Sequence, residues 1–541
     1  MKKIVLLSII VLLSGNIKLF AQGNEIDAFT LSTSELGGTA RSMSMGGAFG
    51  ALGGDLSVIG NNPAGLGVYR SSEISGTFDL SSVNTSTNWS GITADRNKKR
   101  FAADNYAFSL YFPTSADGIK NWSFGFSYNR LKNFKRSYLM SSKGQPYSMA
   151  DFVAWRAANA FGYNNGISKD DLTLTDTYDP YNYNRLSGHW LSILGYEAGM
   201  YDLYPSKSNH YLSAFGLDPD GYGDVASPTR SSLRVNENGR SDEYNLGLGF
   251  NISDFLYFGV SLSIANLDYQ YSSFYDDEFQ TNNRNGDYLY MENRLNTKGI
   301  GVSGNIGVIL TLDALRLGVA YNSPRYYDMT DYFAAWAGIE IYTYPDPKMD
   351  NFTPEDSYSE YRFSTPDKWI FSCAFVFGQS AIISSDYEIM NYKNMLFTDR
   401  RDDAGFPAND FINEDYTYSH TLKLGAEVKP TRQFALRAGY MVQTSPMCKA
   451  LVNNDVEVLP AGTIPHFTTV TKPTNYYTAG LGYRFSPNFY MDLACIYRTN
   501  DSDAFAFSNT YSNRPEVEIF ATPAKLKTKT TRFALTLGYK F

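Results

Sequence analysis

Few side chains in this 541-residue sequence have the type and spacing that catalysis requires. The four histidines, His189, His210, His420 and His466, form no metal pair at helical spacing, and no nucleophile-elbow GxSxG occurs. Ser419 precedes His420, but neighbours in an extended strand point to opposite faces, so the two cannot work as one site. The three cysteines, Cys373, Cys448 and Cys495, are odd in number and far apart, which excludes a disulfide framework. Gly299-Ile300-Gly301-Val302-Ser303-Gly304 matches GxGxxG, yet no helix pattern follows to hold a pyrophosphate. Asp218, Asp220 and Asp224 in DPDGYGD form an acidic turn without the glutamate of an EF-hand. It reads as a solvated loop, with calcium bridging of surface loops as the alternative. No enzyme, metal or cofactor is expected.

Chemistry of another kind comes from charges set into alternating segments. Arg316, Asp386, Glu388, Lys423, Glu427, Arg437, Arg484, Asp492, Arg498 and Arg532 all fall opposite the large apolar residues. Both signs are present, so most should pair. An unpaired cation would bind a ligand carboxylate through charge-assisted hydrogen bonds. The candidates are Arg316, Lys423, Arg437 and Arg484, with Trp155 and Trp190 of a long insertion as candidate contacts for an apolar ligand.

The elements that carry these charges read as strands. From residue 74 onward apolar and polar residues alternate at period two. Tyr244, Leu246, Leu248, Phe250 and Ile252 share one face; Asn245, Gly247, Gly249 and Asn251 share the other. A strand wet on one side would carry Lys and Glu there. The small polar residues found instead suit a crowded lumen, and the apolar face, including Leu246, Phe258, Leu436 and Leu481, suits lipid. Tight turns alternate with long excursions at 84–103, 132–241, 270–288, 323–358, 394–415, 444–475 and 499–525. That rhythm predicts an all-β, antiparallel transmembrane barrel of about fourteen strands. The chain stops on an alternating strand ending at Phe541, which is similar to the signal read by the barrel-assembly machinery.

Composition agrees. Aromatics reach 16%, with 42 Tyr, while charged residues are 19%, below the roughly 25% of average soluble domains. A mean hydropathy of -0.31 and 21 prolines exclude a helical membrane bundle. A net charge of -8 gives no basic footprint for nucleic acid. Residues 1–21 read as a cleaved signal peptide, with Lys2-Lys3, an apolar run and Ala21.

One stretch, Gly37 to Gly67, is rich in glycine and cannot build a core of its own. Asp55 is a candidate helix cap, and Pro63 should end that short helix at Asn62. This stretch, with Asp55, Ser57 and Asn61-Asn62-Pro63-Ala64, resembles the hatch of the FadL/TodX family of outer-membrane transporters. So do the later hairpins, TPDKWIFSCAFVF, HTLKLGAEVKPTRQFALRAGYMVQTSP and TAGLGYRFSPNFYMDLACIYR. A Bacteroidetes-like branch is the nearest in pattern. The resemblance implies a hatch at 22–70 plugging a barrel at 71–541, with the 132–241 insertion as an extracellular loop that captures ligand. It implies passive uptake of long-chain fatty acids or other hydrophobic compounds by a monomer in the outer membrane. Release would be sideways into the lipid, coupled to the hatch, through a gap made by an inward kink of the third strand. That strand is Trp122–Leu131, with Gly125 or Asn129 as the residue that allows the kink. A haem receptor and a type IX secretion-associated scaffold are the other readings.

Overall fold

The computed structural model describes residues 23–114, 118–162, 165–203, 210–215, 227–281, 284–341, 348–355, 357–401, 403–510 and 518–541. The signal segment 1–21 and the acidic turn of Asp218, Asp220 and Asp224 lie outside the described residues.

Alternation at period two needs one face for each environment, and a closed barrel supplies both. Fourteen antiparallel strands form it. They are β1 Glu73–Trp89, β2 Ile92–Pro113, β3 Ile119–Asn133 continued by Arg136–Lys143, β4 Arg230–Ile252 and β5 Leu256–Thr281. Next come β6 Arg284–Leu312, β7 Leu315–Asn322 with Tyr326–Glu340, and β8, broken into Lys348–Phe352, Tyr358–Ser364 and Lys368–Phe377. The set ends with β9 Ala381–Asn391 with Leu396–Asp399, β10 Tyr418–Val428, β11 Phe434–Gln443, β12 Phe467–Val470 with Thr474–Arg484, β13 Phe489–Phe505 and β14 Ala524–Lys540. β1 pairs with β14 from Glu73↔Lys540 upward, so no edge is left at the junction of first and last strands. Ser72 and Phe541 finish that ladder with reciprocal backbone bonds of 3.1 and 3.0 Å.

The two faces differ as expected. Leu436 is 43% exposed on the outside while its neighbour Ala435 is 6% exposed on the inside. Leu246 and Leu481 are exposed too, and Phe258 is partly so. Tyr106, Tyr128 and Tyr244 line up on the outside at 5.8 and 5.4 Å, as in an interfacial aromatic girdle. Residues 299–304 lie inside β6, as a strand and not a phosphate loop.

Three excursions are corrected: 84–103 and 270–288 are the far ends of the β1–β2 and β5–β6 hairpins, paired up to Trp89↔Ile92 and Thr281↔Arg284, and most of 323–358 is strand, Tyr326–Glu340 pairing with β6 and β8. The 132–241 insertion shortens for the same reason, since β3 runs to Lys143 and β4 starts at Arg230. These segments stand beyond the apolar band. They carry no lipid face, so their sequences look like loops.

Inside the barrel lies the plug. Helix α1 (Glu25–Ser32) starts with a capping box from Asn24 and Asp27, and α2 (Ala40–Ser44) is capped by Thr39. Two 3₁₀ turns follow, Leu56–Gly60 capped by Asp55 and Pro63–Val68 capped by Asn62. The turn after Asp55 therefore ends before Pro63, because Pro63 opens the next one.

Over the mouth sits a folded cap. Helices α3 (Met149–Ala158) and α4 (Trp190–Glu197) share a buried apolar core with the outer ends of the strands, including Met140, Phe152, Leu233, Tyr275, Leu289 and Leu526. Trp190 is 4% exposed within that core, and Trp155 is partly buried against it. Neither presents an exposed capture surface. The burial has a plain cause: a stretch this long, with so many aromatics, buries them against itself and the strand ends.

Candidate functional site: plug, chamber and wall seam

The plug is tied to the wall by charge and by close approach. Asp386 on β9 accepts the N–H groups of Phe49 and Gly50 at 3.0 and 2.9 Å. Arg316 on β7 donates to Leu52 O at 2.5 Å, and Arg532 on β14 to Leu36 O at 2.6 Å. Arg41 of α2 pairs with Glu427 at 3.0 Å, Glu427 with Arg437 at 2.7 Å, and Arg437 with Asp492 at 2.5 Å. Lys423 pairs with Glu388 at 2.6 Å, and Arg498 pairs with Glu35 of the plug.

The lumen charges therefore support the plug. Lys423 and Arg437 are each neutralised by a carboxylate, and Arg316 is spent on a plug carbonyl. Arg484 has the inward parity but sits exposed at the lower end of β12. Lys423 and Arg437 are therefore not free lumen cations, whereas Arg316 and Arg484 have no carboxylate in ion-pair range among the described residues.

Within the plug, Asp55 accepts from Ser57 N at 3.0 Å, Ser57 Oγ at 2.7 Å and Thr39 Oγ1 at 2.9 Å. Asn62 donates to Gly50 O at 2.6 Å and accepts from Ala64 N at 3.2 Å, so one side chain joins the two halves of the plug. Asn61 accepts from Lys368 Nζ at 3.2 Å through its side chain, and its carbonyl accepts from Asn322 at 3.0 Å. The wall makes room: a Cβ at Gly307 would stand 1.9 Å from Asn62 Oδ1, and one at Gly259 would stand 2.2 Å from the Pro63 carbonyl carbon.

At the head of the plug, Glu25 is fully buried and its carboxylate has no hydrogen-bond partner from another residue among the described residues. Burial first, and then Asp415 and Asp27 nearby, push it up to about 8. Asp415 ends helix α5 (Ala408–Asp415) of the outer surface, and Tyr416 Oη donates to Glu25 O at 3.0 Å.

Beside the head of the plug lies a cavity of about 150 Å³, lined by Phe29, Thr30, Thr33, Ser34 and Glu35, by β1 to β4 and by β11 to β14. Its lining is strongly charged: Arg100, Arg130, Arg136, Arg498 and Arg532 pair with Asp79, Asp104, Asp242, Glu237 and Glu35. Lys132 lines it too, donating to Thr30 O at 2.6 Å and to Thr33 Oγ1, with no carboxylate in ion-pair range among the described residues.

The cavity reaches a seam in the wall. β2 and β3 are paired from Pro113↔Asn121 only as far as Asn105↔Asn129. Above that rung β2 pairs with β1 alone. β3 shifts register against β4 at Arg130/Lys132 and swings inward, where Thr85 Oγ1 of β1 donates to Ser137 O at 2.5 Å. The strand departs at Asn129; Gly125 lies lower, where its missing side chain admits Leu66 and Ile59 of the plug. Sequence reading missed Asp104, Arg130, Lys132 and Asp242. The dense charge of Asn129-Arg130-Leu131-Lys132-Asn133-Phe134-Lys135-Arg136 was the available signal.

Histidine chemistry is not assembled. His420 lies on the outer wall with Tyr387 Oη at 2.9 Å, while the buried Ser419 donates to Thr444 O. His466 is buried, held near 4 by desolvation, with Nδ1 2.6 Å from Ala506 O beside a cavity of only about 40 Å³.

No family model and no curated protein matches the chain in sequence. Solved structures do match in shape. A FadL homologue of Pseudomonas aeruginosa aligns over 94% of this chain and 100% of its own at 13% identity, with a TM-score of 0.52. The fold is that of the FadL barrel. The deltaS2 mutant of the TodX monoaromatic hydrocarbon channel aligns over 93% and 98% at 12% identity, TM-score 0.50. In this FadL-type barrel the plug fills the straight path, and the seam beside β3 is the lateral break in the ladder.

Proposed function

We propose that this protein is an outer-membrane transporter for passive uptake of hydrophobic compounds, long-chain fatty acids among them, with release sideways into the lipid. The observation that carries it is the break in the β2–β3 ladder above Asn105↔Asn129, where Asp104 and Arg130 border the break and also line the 150 Å³ cavity, while the plug occupies the barrel interior. Apolar surface resists entering water, so a lateral exit serves such a ligand better than an aqueous pore. The two matched folds, one a FadL homologue and the other named a monoaromatic hydrocarbon channel, support the same reading. Lys132, which donates to Thr30 O and Thr33 Oγ1 and has no carboxylate in ion-pair range among the described residues, suits the carboxylate of a fatty acid. Hatch-coupled release would act through Asn62 and Asp386, which join the plug to itself and to the wall.

Mass spectrometry of ligand carried through purification, with uptake of labelled oleate and toluene by cells making the protein, tests the proposal. Oleate or an aromatic hydrocarbon bound and imported supports it; neither bound nor imported removes it. The folded cap favours one second reading, a scaffold that binds a protein partner there, and recovery of a stoichiometric protein without small ligand would select it. Haem gains no support from buried His466 or from His189, which burial holds near 3.

A further inference from the structure

The seam does not stand open, and its closure is electrostatic. Its lowest unpaired rung is occupied by side chains. Asp104 is the extra residue of a β-bulge, since Thr77 pairs with Asn105 and Phe78 with Ala103. Arg130, the first residue of β3 beyond the last rung, reaches Asp104 at 3.2 Å on the β2 side and Asp242 at 2.9 Å on the β4 side. Tyr128 Oη accepts from Arg130 at 2.9 Å and donates to Asp242 at 2.9 Å, closing the cluster toward lipid. Higher up, Lys135 Nζ crosses the seam to Lys99 O at 3.0 Å. Backbone rungs are thus replaced by ion pairs where the strands part, beside Phe101, which is 71% exposed on the outer face.

From this we infer that Arg130 is a latch on the wall seam, and that an anionic head group in the cavity opens it by competing with Asp104 for the guanidinium. Arg130 lines the cavity as well as the seam, so ligand and latch share one cation. A carboxylate there offers Arg130 the bidentate geometry that Asp104 now takes up only in part. An uncharged hydrocarbon has no such purchase. The latch therefore selects ligands by charge, before any difference in apolar length is felt. This inference rests on the lateral-release reading above.

The test places spin labels on either side of the seam, at Phe101→Cys and Asn133→Cys, with Cys373, Cys448 and Cys495 changed to Ala. Distances are read by double electron–electron resonance, and folding by heat-modifiable mobility on gels. Without ligand, a single short distance is expected. Oleate should lengthen it by about one strand spacing, ~4.8 Å, and methyl oleate should not. Arg130→Gln should give the long distance in all conditions, and Arg130→Lys should restore the short one. A folded Arg130→Gln protein that keeps the short distance overturns the latch. Equal lengthening by oleate and methyl oleate overturns selection by charge. Lengthening by oleate in a protein that imports no labelled oleate keeps the latch and removes the transport reading; import without lengthening does the reverse.

Discussion

Asp386 stands on the barrel wall, yet its carboxylate binds the backbone N–H of Gly50 in the plug at 2.9 Å, and that of Phe49 beside it at 3.0 Å. A carboxylate accepting from two consecutive amides acts as a fixed clamp on a segment that also buries Phe49 and Leu52 in a small apolar cluster with Val58 and Ala374. Both amides donate to the one oxygen Oδ2, so Asp386→Asn keeps an acceptor there but loses the charge that strengthens both bonds. The expected loss is about 1–3 kcal/mol in plug docking, read as faster amide exchange at residues 46–54 with barrel exchange unchanged.

Glu427 serves Arg41 of the plug and Arg437 of the wall together, with no exposure of its side chain. Removing it leaves two cations in a tight lumen. Glu427→Ala should cost about 3–5 kcal/mol, which limited proteolysis of the plug will register. Arg41→Ala should cost less, because Arg437 and Lys429 still neutralise Glu427.

Asn62→Ala deletes the bonds to Gly50 O and Ala64 N, each worth about 0.5–1.5 kcal/mol. The barrel, held by interstrand ladders, should keep its heat-modifiable mobility while the rate of oleate uptake changes. Loss of the folded band would assign Asn62 a purely structural role.

Glu25 gives the plug a pH dependence. Its folded value is raised from the ordinary 4.5 to about 8, by burial above all. The folded state therefore holds a proton that the unfolded state releases, so its contribution is complete below about 4.5 and is lost as pH rises through about 8. Exchange in α1, corrected for intrinsic rate, should accelerate as pH rises from about 4.5 to about 8 in the wild type and level off above that, and Glu25→Gln should remove that acceleration.

On the wall, Leu436→Arg places a charge on the lipid face and should cost about 2–4 kcal/mol if it lies near the midplane. Equilibrium unfolding in lipid vesicles measures it. In the cap, Trp190 packs edge-on against Tyr181 and Phe333 at 4.9 and 5.1 Å. Trp190→Ala should destabilise the cap by about 3–5 kcal/mol and leave barrel mobility on gels untouched.

What the sequence made readable follows from where lipid is. In the apolar band one face of each strand must be greasy, so Leu246, Leu436 and Leu481 marked the wall plainly. Beyond the band that constraint vanishes. Residues 270–281 and 284–288 still form a ladder, yet their polar and aromatic mixture looks like a loop. Asp55 and Asn62 were legible because a cap needs only its own neighbours. The inward face of Glu427 was legible too, but its pairing with Arg41 was not, since nothing local names a partner so far along the chain. Arg484 shows the remaining gap: parity gave its face and could not give its height.

The Glu73↔Lys540 rung joins the chain's first strand to its last. A polypeptide built this way has no intermediate with a finished wall, because that ladder cannot form until the final residues exist. Contacts of such long sequence separation close late and slowly. The plug is threaded directly onto β1, so it has to be gathered into place before or during that last zipping. Assembly therefore commits the protein once: a plug left outside would face a cylinder that is already shut.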